Sequence, residues 1–166
     1  MILETERLRL REFTTADATF ILELVNSPGW LQFIGDRNIK TTVQAIAYLE
    51  NGPLKSYADH GFGLALVETK DNKIPIGMCG IIKRDNLDNP DIGFAFLPGY
   101  TRKGYAFEIA TATLDYAAGQ LKLPTVYAIT APGNIRSISL LGKIGLKFIK
   151  KIDAPKDNEE LLLYSN

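Results

Sequence analysis

The 166-residue chain has few of the side chains from which disulfide frameworks and metal centres are built. It contains one cysteine, Cys79, and one histidine, His60. A single cysteine excludes an intrachain disulfide and a cysteine metal cluster, and one histidine leaves little for a zinc site. A domain of this length can bury a core without such crosslinks. We therefore expect no metal-binding residues.

Long hydrophobic runs and an excess of charge of one sign are also missing. No segment approaches the roughly 18 apolar residues of a membrane span, and charged residues enter by Glu4, unlike a signal peptide. Lys and Arg number 19, as do Asp and Glu, so the net charge is +0; bulk nucleic-acid binders usually carry a basic excess. The sequence predicts one cytoplasmic domain over residues 1–166, without a membrane or nucleic-acid partner.

The zero net charge conceals an uneven distribution. Residues 102–151 contain 8 basic and 2 acidic side chains, a net charge of +6, whereas the rest of the chain has 11 basic and 17 acidic ones. The stretch is either a solvated face or a site for a small polyanion.

Hydrophobic periodicity and turn residues predict an α/β domain with a mixed sheet. A helix from Ala18, capped by Thr14 or Thr15, is expected to end at Pro28 and Gly29. A second helix, after the cap at Thr41 and Thr42, is expected to be broken by residues 51–53, where Pro53 would open one further turn toward Tyr57. A third helix follows Gly104, and a fourth is expected over 135–144. Strands are predicted over residues 8–11, 62–68, 74–82, 92–97, 125–131, 146–152 and 160–164.

Residues 97–106 connect a strand to a helix through a basic turn that contains glycine. The N-terminus of a helix exposes unpaired N–H groups that suit a pyrophosphate, and Gly104 lets the backbone approach an anion closely. The segment is not a P-loop, because Tyr105 and Ala106 stand where Lys and Ser or Thr are required, which disfavours ATP. Taken alone, it is either an anion site or an ordinary surface turn.

Several segments together resemble the GNAT superfamily of N-acetyltransferases and its branch that acetylates the N-termini of ribosomal proteins. Residues 101–106 resemble the Q/R-x-x-G-x-G/A acyl-CoA loop, although Thr101 replaces the Gln or Arg. The segments that resemble the branch, in the same order along nearly the whole chain, are 3–11, 91–94, 104–108 and 134–145.

The resemblance implies a GNAT fold, with a mixed, mostly antiparallel sheet of about seven strands, helices on both faces and a splay between the fourth and fifth strands. It implies that the pantetheine of acetyl-CoA lies in this gap. Backbone groups would bind the pantetheine at Phe94, Phe96 and Leu97, and the pyrophosphate at Arg102, Lys103, Gly104, Tyr105 and Ala106. Asn134 would contact the cofactor, and Ser137 would lie near its sulfur.

Acyl transfer from a thioester to an amine needs a base for the amine, donors for the oxyanion and a proton for the thiolate. Asp91, which replaces the branch's Glu, is either that base or an aspartate flanking a turn. Ser137 either protonates the thiolate or bonds local backbone. Backbone N–H groups near 94–96 would serve the oxyanion. Structural roles are favoured for Glu108, in a first helical turn, and for Cys79, as a buried thiol.

We therefore expect an acetyl-CoA-dependent N-acetyltransferase that acts directly on a primary amine, either a peptide N-terminus or a small amine. The alternative is a non-catalytic acyl-CoA-binding regulatory module. Three segments would flank the acceptor, at residues 27–40, 53–61 and 154–159; within them Trp30, Phe33 and Tyr57 are more typical of core, and His60 of a turn. The sequence leaves open whether the protein is a monomer or a homodimer.

Overall fold

One sheet of eight strands runs through the protein in the computed structural model, which describes residues 2–154 and 159–166. The strands lie in the order β1-β2-β3-β4-β5-β6-β8-β7, and all neighbours are antiparallel except β5 and β6. Their bounds are β1 (Ile2–Glu4), β2 (Leu8–Glu12), β3 (Leu64–Thr69), β4 (Pro75–Ile82), β5 (Asp91–Phe96), β6 (Tyr127–Thr130), β7 (Lys147–Asp153) and β8 (Glu160–Ser165).

The predicted mixed, mostly antiparallel sheet is confirmed, with one strand more than the seven expected. The additional strand is β1, whose three residues pair with Arg9, Leu10 and Arg11 of β2. A segment of three residues is too short to show an alternating pattern of its own, so sequence periodicity does not detect it.

Six helices connect these strands. Four lie between β2 and β3, one between β5 and β6, and one between β6 and β7. They are α1 (Ala18–Val25), α2 (Pro28–Phe33), α3 (Thr42–Leu49), α4 (Lys55–His60), α5 (Tyr105–Gly119) and α6 (Ile135–Lys143).

Threonine caps begin two of the helical segments, as predicted. Thr41 accepts a hydrogen bond from the N–H of Gln44 at the start of α3, and the Gln44 side chain bonds back to the N–H of Thr41. Thr14 and Asp17 form the same reciprocal arrangement before α1. These capping boxes satisfy N–H groups that have no partner inside the helix.

The segment at residues 51–53 does not break the helix, contrary to the prediction. α3 continues into α4 through a π turn, Glu50–Leu54, that contains Pro53. Proline lacks an N–H and its ring clashes with the carbonyl four residues back in an α-helix, whereas a π turn is wider and bonds i to i+5. Tyr57 is on a helical turn, as expected, and the continuous helix also includes His60. Pro28 likewise begins α2 rather than only ending α1.

Helices cover both faces of the sheet, as predicted, and two hydrophobic cores result. On one face, Ile109 and Ala110 of α5 and Leu141 of α6 pack against the strands. On the other face, Ile21 of α1 and Leu49 of α3 do so. Because strand residues alternate between faces, Ile92 belongs to the first core and Leu97 to the second.

The sheet opens between β5 and β6. The two parallel strands share one register pair, Asp91 with Tyr127, where the N–H of Tyr127 donates to the carbonyl of Pro90 at 2.9 Å. Beyond that pair, β6 remains hydrogen-bonded to β8 and β5 remains hydrogen-bonded to β4, but the two strands no longer pair with each other. The predicted splay is therefore confirmed: the gap is closed at the start of β5 and open at its carboxyl end.

Candidate functional site

The basic loop lies at the open end of the gap. After β5, a short 3-10 turn (Pro98–Tyr100) leads to residues 101–103, and Gly104 is the N-cap of α5. No side chain of residues 2–154 or 159–166 caps this helix. The first intrahelical bond runs from the N–H of Glu108 to the carbonyl of Gly104, at 3.0 Å. Within the described residues, the N–H groups of Tyr105, Ala106 and Phe107 therefore have no protein partner.

Left-handed backbone at two positions shapes this loop. Gly104 has φ +79°, and Arg102 has φ +61°. Glycine adopts such angles without cost, whereas other residues do so rarely. Alternation of right- and left-handed residues makes successive N–H groups converge into an anion-binding concavity. The turn thus brings together the five residues predicted to bind pyrophosphate, Arg102, Lys103, Gly104, Tyr105 and Ala106.

An ion pair beside the loop joins it to the turn between β1 and β2. The Arg7 Nε lies 2.7 Å from Oε2 of Glu108, and the hydroxyl of Thr5 donates to Oε1 at 2.6 Å. Burial would raise the pKa of Glu108, but these hydrogen bonds and the Arg7 charge outweigh it and lower the pKa. Glu108 thus has the structural role expected of it. Sequence reasoning missed Arg7, because the two residues are 101 positions apart.

The backbone of β5 faces the gap at alternate residues. Leu97 N–H donates to the Ile76 carbonyl of β4, at 2.9 Å. In an antiparallel ladder, hydrogen-bonded pairs alternate with non-bonded ones, so the N–H and C=O groups of Phe94 and Phe96 point away from β4, toward β6. β6 has diverged there. The two residues can therefore offer backbone groups to a ligand in the gap.

Leu97 differs from the expectation that it binds the pantetheine through its backbone. Its N–H is already bonded to Ile76, and its carbonyl accepts the N–H of Tyr100 at 2.9 Å. Both groups serve the end of the strand and the turn that follows. The backbone groups that stay available to a ligand in the gap are therefore those of Phe94 and Phe96.

Asp91 lies at the closed end of the gap and is 1% exposed. Its Oδ1 accepts a hydrogen bond from Arg84 Nε at 2.8 Å, and its buried Oδ2 has no partner within the described residues. Burial raises the pKa of Asp91 above its ordinary value, although the Arg84 guanidinium acts in the opposite direction. Five residue steps of about 3.4 Å, roughly 17 Å in all, separate Asp91 from Phe96.

Arg84 is a further residue that sequence reasoning missed. It lies in the connection between β4 and β5, seven positions before Asp91. The residues between them include the buried Leu87, and the conformation of this loop determines whether the two side chains are in contact. The spacing in the sequence does not predict that conformation.

Asn134 and Ser137 lie at the N-terminus of α6, immediately after the carboxyl end of β6. Asn134 is the N-cap, and its Oδ1 accepts the N–H of Ser137 at 3.3 Å. The hydroxyl of Ser137 makes no hydrogen bond to any described residue, and both roles considered for it stay predictions. Because β5 and β6 are parallel, the Asn134 turn and the 101–106 loop lie at the same end of the sheet.

The basic stretch 102–151 does not gather at one site. Arg102 and Lys103 are in the loop, whereas Lys147, Lys150 and Lys151 lie on β7, an edge strand whose residues are nearly all exposed. Lysines on an edge strand hinder its pairing with other chains. The whole stretch is therefore not one polyanion site, and only Arg102 and Lys103 lie in the loop beside the gap.

Two neighbouring clefts lie beside α3, with volumes of about 440 and 420 Å³, and share Tyr48, Asn51 and Gly52. The first also has Ile82, the register partner of Asp91, in its wall. One of the segments predicted to flank an acceptor lines the first cleft, through Pro53, Lys55, Ser56, Asp59 and His60, and another lines the second cleft, through residues 37–39. Residues 155–158 of the third segment lie outside the described residues.

The aromatic residues of these segments are mainly structural. Trp30 is 4% exposed in the core under α1–α3. The Tyr57 hydroxyl accepts the N–H of Phe13 and donates to the carbonyl of Leu64, and burial raises its pKa to about 12. Phe33 is half-buried at the end of α2. His60 stacks on Phe62, with ring centroids 5.8 Å apart, and lines the first cleft.

Cys79 is buried, as predicted. Its sulfur lies 3.4 Å from the Thr113 hydroxyl, and burial raises its pKa to about 12. Since the thiolate is the nucleophile, Cys79 is unsuited to carry an acyl group. Across residues 2–154 and 159–166, no three His, Cys, Asp or Glu side chains group as metal ligands. No helix in these ranges is long and apolar enough to cross a membrane.

Comparison with protein families shows that the chain is similar in sequence to acetyltransferases. Residues 7–147 match the family model described as the acetyltransferase (GNAT) domain. A curated relative, the uncharacterized N-acetyltransferase YnaD of Bacillus subtilis, is 30% identical over 162 residues, which cover 96% of this chain and 91% of YnaD.

Solved structures have the same fold. An acetyltransferase from Agrobacterium tumefaciens aligns with a TM-score of 0.84 at 26% identity, over 100% of this chain and 94% of that protein. A ribosomal L7/L12 alpha-N-protein acetyltransferase, RimL, in complex with coenzyme A aligns with a TM-score of 0.86 at 12% identity, over 100% and 97% of the two chains. The second similarity, at this low identity, is one of fold alone.

Proposed function

Because the chain belongs to the GNAT acetyltransferase family, we propose that it transfers the acetyl group of acetyl-CoA directly to a primary amine. The observation that carries this proposal is the gap between β5 and β6. It has an unpartnered set of helix amides at its open end and a buried carboxylate at its closed end. Acetyl-CoA, which has a pyrophosphate at one end and a thioester at the other, would place the pyrophosphate at the helix amides and the thioester toward the carboxylate.

The residues fit such a donor. The N-terminus of α5 offers the N–H groups of Tyr105, Ala106 and Phe107, and exposed Arg102 and Lys103 add positive charge. Backbone groups of Phe94 and Phe96 would hold the pantetheine arm much as a neighbouring strand would. Asn134 would contact the donor from the other side of the gap. When bound, acetyl-CoA supplies a thioester that an unprotonated amine can attack.

Asp91 is the proposed base. Its Oδ2 is buried and has no partner among the residues that the structure describes, so it can accept a proton from the incoming ammonium, directly or through one water. The hydrogen bond from Arg84 to Oδ1 fixes the orientation of the carboxylate. The raised pKa makes Asp91 a stronger base than an exposed aspartate.

Two further groups would serve the other demands of acyl transfer. A backbone N–H of Phe94 or Phe96 would donate to the acetyl oxygen as negative charge develops on it. The free hydroxyl of Ser137 would donate a hydrogen bond to the sulfur and pass on a proton from a solvent water as the C–S bond breaks, so that coenzyme A leaves as the thiol and Ser137 keeps its hydroxyl proton. Neither group is committed to another partner within the described residues.

We propose a protein N-terminal α-amine as the acceptor. An α-ammonium has a pKa of about 7.7–8.0, against about 10.4 for a lysine side chain, so a carboxylate base deprotonates it more easily. The motifs that resemble the ribosomal-protein branch support the same choice. The clefts beside α3, which reach the register partner of Asp91, would receive the peptide.

An acceptor panel tests the proposal. The purified protein would be incubated with acetyl-CoA and peptides with N-terminal Ala or Ser, the same peptides with a blocked N-terminus and an internal lysine, and a polyamine. Release of free thiol reports turnover. We expect turnover with free α-amines and little with blocked peptides.

Titration calorimetry should show coenzyme A binding under both functions considered, so turnover on the acceptor panel separates them. Binding without turnover on any amine would favour the regulatory module. Absence of binding would overturn the proposed function altogether.

A further inference from the structure

We propose that Arg7, in the turn between β1 and β2, is a positioning residue for cofactor binding, which holds the 101–106 loop in the shape that presents its N–H groups to a pyrophosphate. The inference rests on the proposed function, because it assumes that this loop receives the pyrophosphate of coenzyme A. Arg7 touches the loop and the first turn of α5 but lies outside both.

Arg7 fixes the first turn of α5 through Glu108. Its main-chain N–H donates to Oε1 of Glu108 at 2.8 Å, and its Nε donates to Oε2 at 2.7 Å. Oε1 also accepts the Thr5 hydroxyl. Both carboxylate oxygens are thus held by the β1–β2 turn, and charge-assisted bonds of this kind are the stronger ones in proteins.

Arg7 also holds one peptide unit of the loop. Its Nη1 donates to the carbonyl of Lys103 at 3.0 Å. Because the peptide unit is planar and trans, that carbonyl and the N–H of Gly104 point in opposite directions. Fixing the carbonyl toward Arg7 therefore directs the Gly104 N–H away from the β1–β2 turn, to the outer side of the loop.

Packing and charge reinforce these bonds. The guanidinium lies 4.3 Å from the ring centroid of Tyr105, within cation–π distance. Its positive charge also neutralises Glu108, whose carboxylate in the first turn of α5 would otherwise repel an anion at the same helix end. Loss of Arg7 would release the Lys103 peptide and leave Glu108 unpaired beside the pyrophosphate.

Arg11 provides a matched control on the same strand pair. Its Nη2 lies 2.9 Å from Oδ1 of Asp17, and its Nε lies 3.4 Å from Oε2 of Glu68. The Arg11 side chain is 28% exposed and that of Arg7 is 42% exposed. Arg11→Gln removes an ion-pair network of similar size that does not touch the loop. A defect specific to Arg7→Gln would thus report on the loop and not on general stability.

The experiment compares coenzyme A affinity by calorimetry, and steady-state kinetics with acetyl-CoA and with acetylpantetheine, a thioester that lacks the pyrophosphate. For Arg7→Gln we expect about 10-fold weaker binding of coenzyme A, the size of one charged hydrogen bond. KM for acetyl-CoA should rise in parallel while kcat stays near that of the unmodified protein. Kinetics with acetylpantetheine should not change. Arg11→Gln should lower the melting temperature and leave coenzyme A affinity unchanged.

Three results would overturn the inference alone: unchanged affinity in Arg7→Gln, equal weakening in Arg11→Gln, or an equal defect with acetylpantetheine. If Arg7→Gln cannot be purified folded, Arg7→Lys and Arg11→Lys replace the pair, because lysine keeps the charge but not the planar fork. The inference then requires that Arg7→Lys weaken coenzyme A binding more than Arg11→Lys does, with unchanged kinetics on acetylpantetheine. Failure of the unmodified protein to bind coenzyme A would instead overturn the proposed function, and this inference with it.

Discussion

Asp91 shows how a single residue can favour chemistry over stability. A carboxyl whose pKa is raised in the folded protein stabilises the fold while it is protonated, below its ordinary pKa, and loses that contribution as the pH rises through the raised value. Asp91 is 1% exposed and bonded to Arg84 through one oxygen. Its charge is therefore unfavourable for folding, and the free Oδ2 is what a base needs.

Substitution of Asp91 by Asn separates these two effects. We expect Asp91→Asn to lower the rate of acetyl transfer at neutral pH by about 10²–10⁴-fold, the usual contribution of a general base. Coenzyme A affinity should stay nearly intact, since Asp91 lies far from the loop. The melting temperature should not fall, because the buried charge is gone and Arg84, 35% exposed, can be solvated.

The matched control is Asp88→Asn, an exposed aspartate in the same connection, which should leave the rate unchanged. In the unmodified protein, the acidic limb of the pH–rate profile should lie above the ordinary pKa of aspartate. Arg84 is the charged group that acts on Asp91 there. Equal activity in Asp91→Asn would show that Asp91 is not the base.

At the scale of an element, the loop before α5 depends on backbone angles more than on side chains. Gly104 ends the loop at φ +79° and caps the helix without a side-chain bond. An added Cβ would lie 3.3 Å from Nη2 of Arg7, a tight contact with the residue that we propose holds the loop. Conformation and packing at this position therefore both favour glycine.

Gly104→Ala tests this dependence. We expect the free energy of unfolding to fall by about 1–2 kcal/mol, the cost of left-handed backbone for a residue with a Cβ. Coenzyme A affinity should fall as well, because the loop must shift. Denaturant titration and calorimetry measure the two quantities.

The control is Gly133→Ala in the turn before α6. Gly133 does not have a left-handed φ, and an added Cβ there meets nothing within 4 Å. We expect no loss of affinity in that variant. A Gly104→Ala protein as stable as the original, with unchanged affinity, would mean that the loop tolerates other conformations.

At the scale of the whole molecule, the sheet consists of a five-stranded part and a three-stranded part that meet at one register pair. The backbone of β4 is paired on both sides, whereas that of β5 is paired fully on one side only. A ligand in the gap would bridge the two parts and complete the hydrogen bonding of β5.

Hydrogen exchange would detect the hydrogen bonds that a ligand in the gap makes to the unpaired side of β5. Without a ligand, the amides of Phe94 and Phe96 should exchange faster than those of β4, because their partners have diverged. Saturating coenzyme A should slow exchange at Phe94, Phe96 and the first turn of α5, and leave β3 and β4 unchanged. Uniform slowing over the whole chain would indicate general stabilisation and contradict a site in the gap.

Sequence patterns predict those parts of the molecule that local hydrogen bonding determines. The caps at Thr14 and Thr41, the three consecutive strands β3–β5 and the helix after Gly104 all follow from neighbours within a few residues. The resemblance of the motifs adds the splay, which no local pattern contains.

The remaining features depend on contacts that sequence does not show. Arg7 meets Glu108 only because β2 and α5 are packed together, and Arg84 meets Asp91 through the path of an irregular connection. The sequence does not predict the π turn at Pro53, because a proline after Asn and Gly usually ends a helix. The basic residues of β7 do not mark an anion site, because composition does not distinguish an edge strand from a binding site.

The strand order β6-β8-β7 has a consequence for how the protein is made. β7 is synthesised before β8, yet β8 is its neighbour in the sheet and lies between it and β6. Among the described strands β7 pairs with β8 alone, so it stays unpaired until β8 has been synthesised. Phe148 and Ile149 are 51% and 53% exposed even in the folded protein. The lysines at 147, 150 and 151 therefore disfavour aggregation through this edge both before and after β8 is in place.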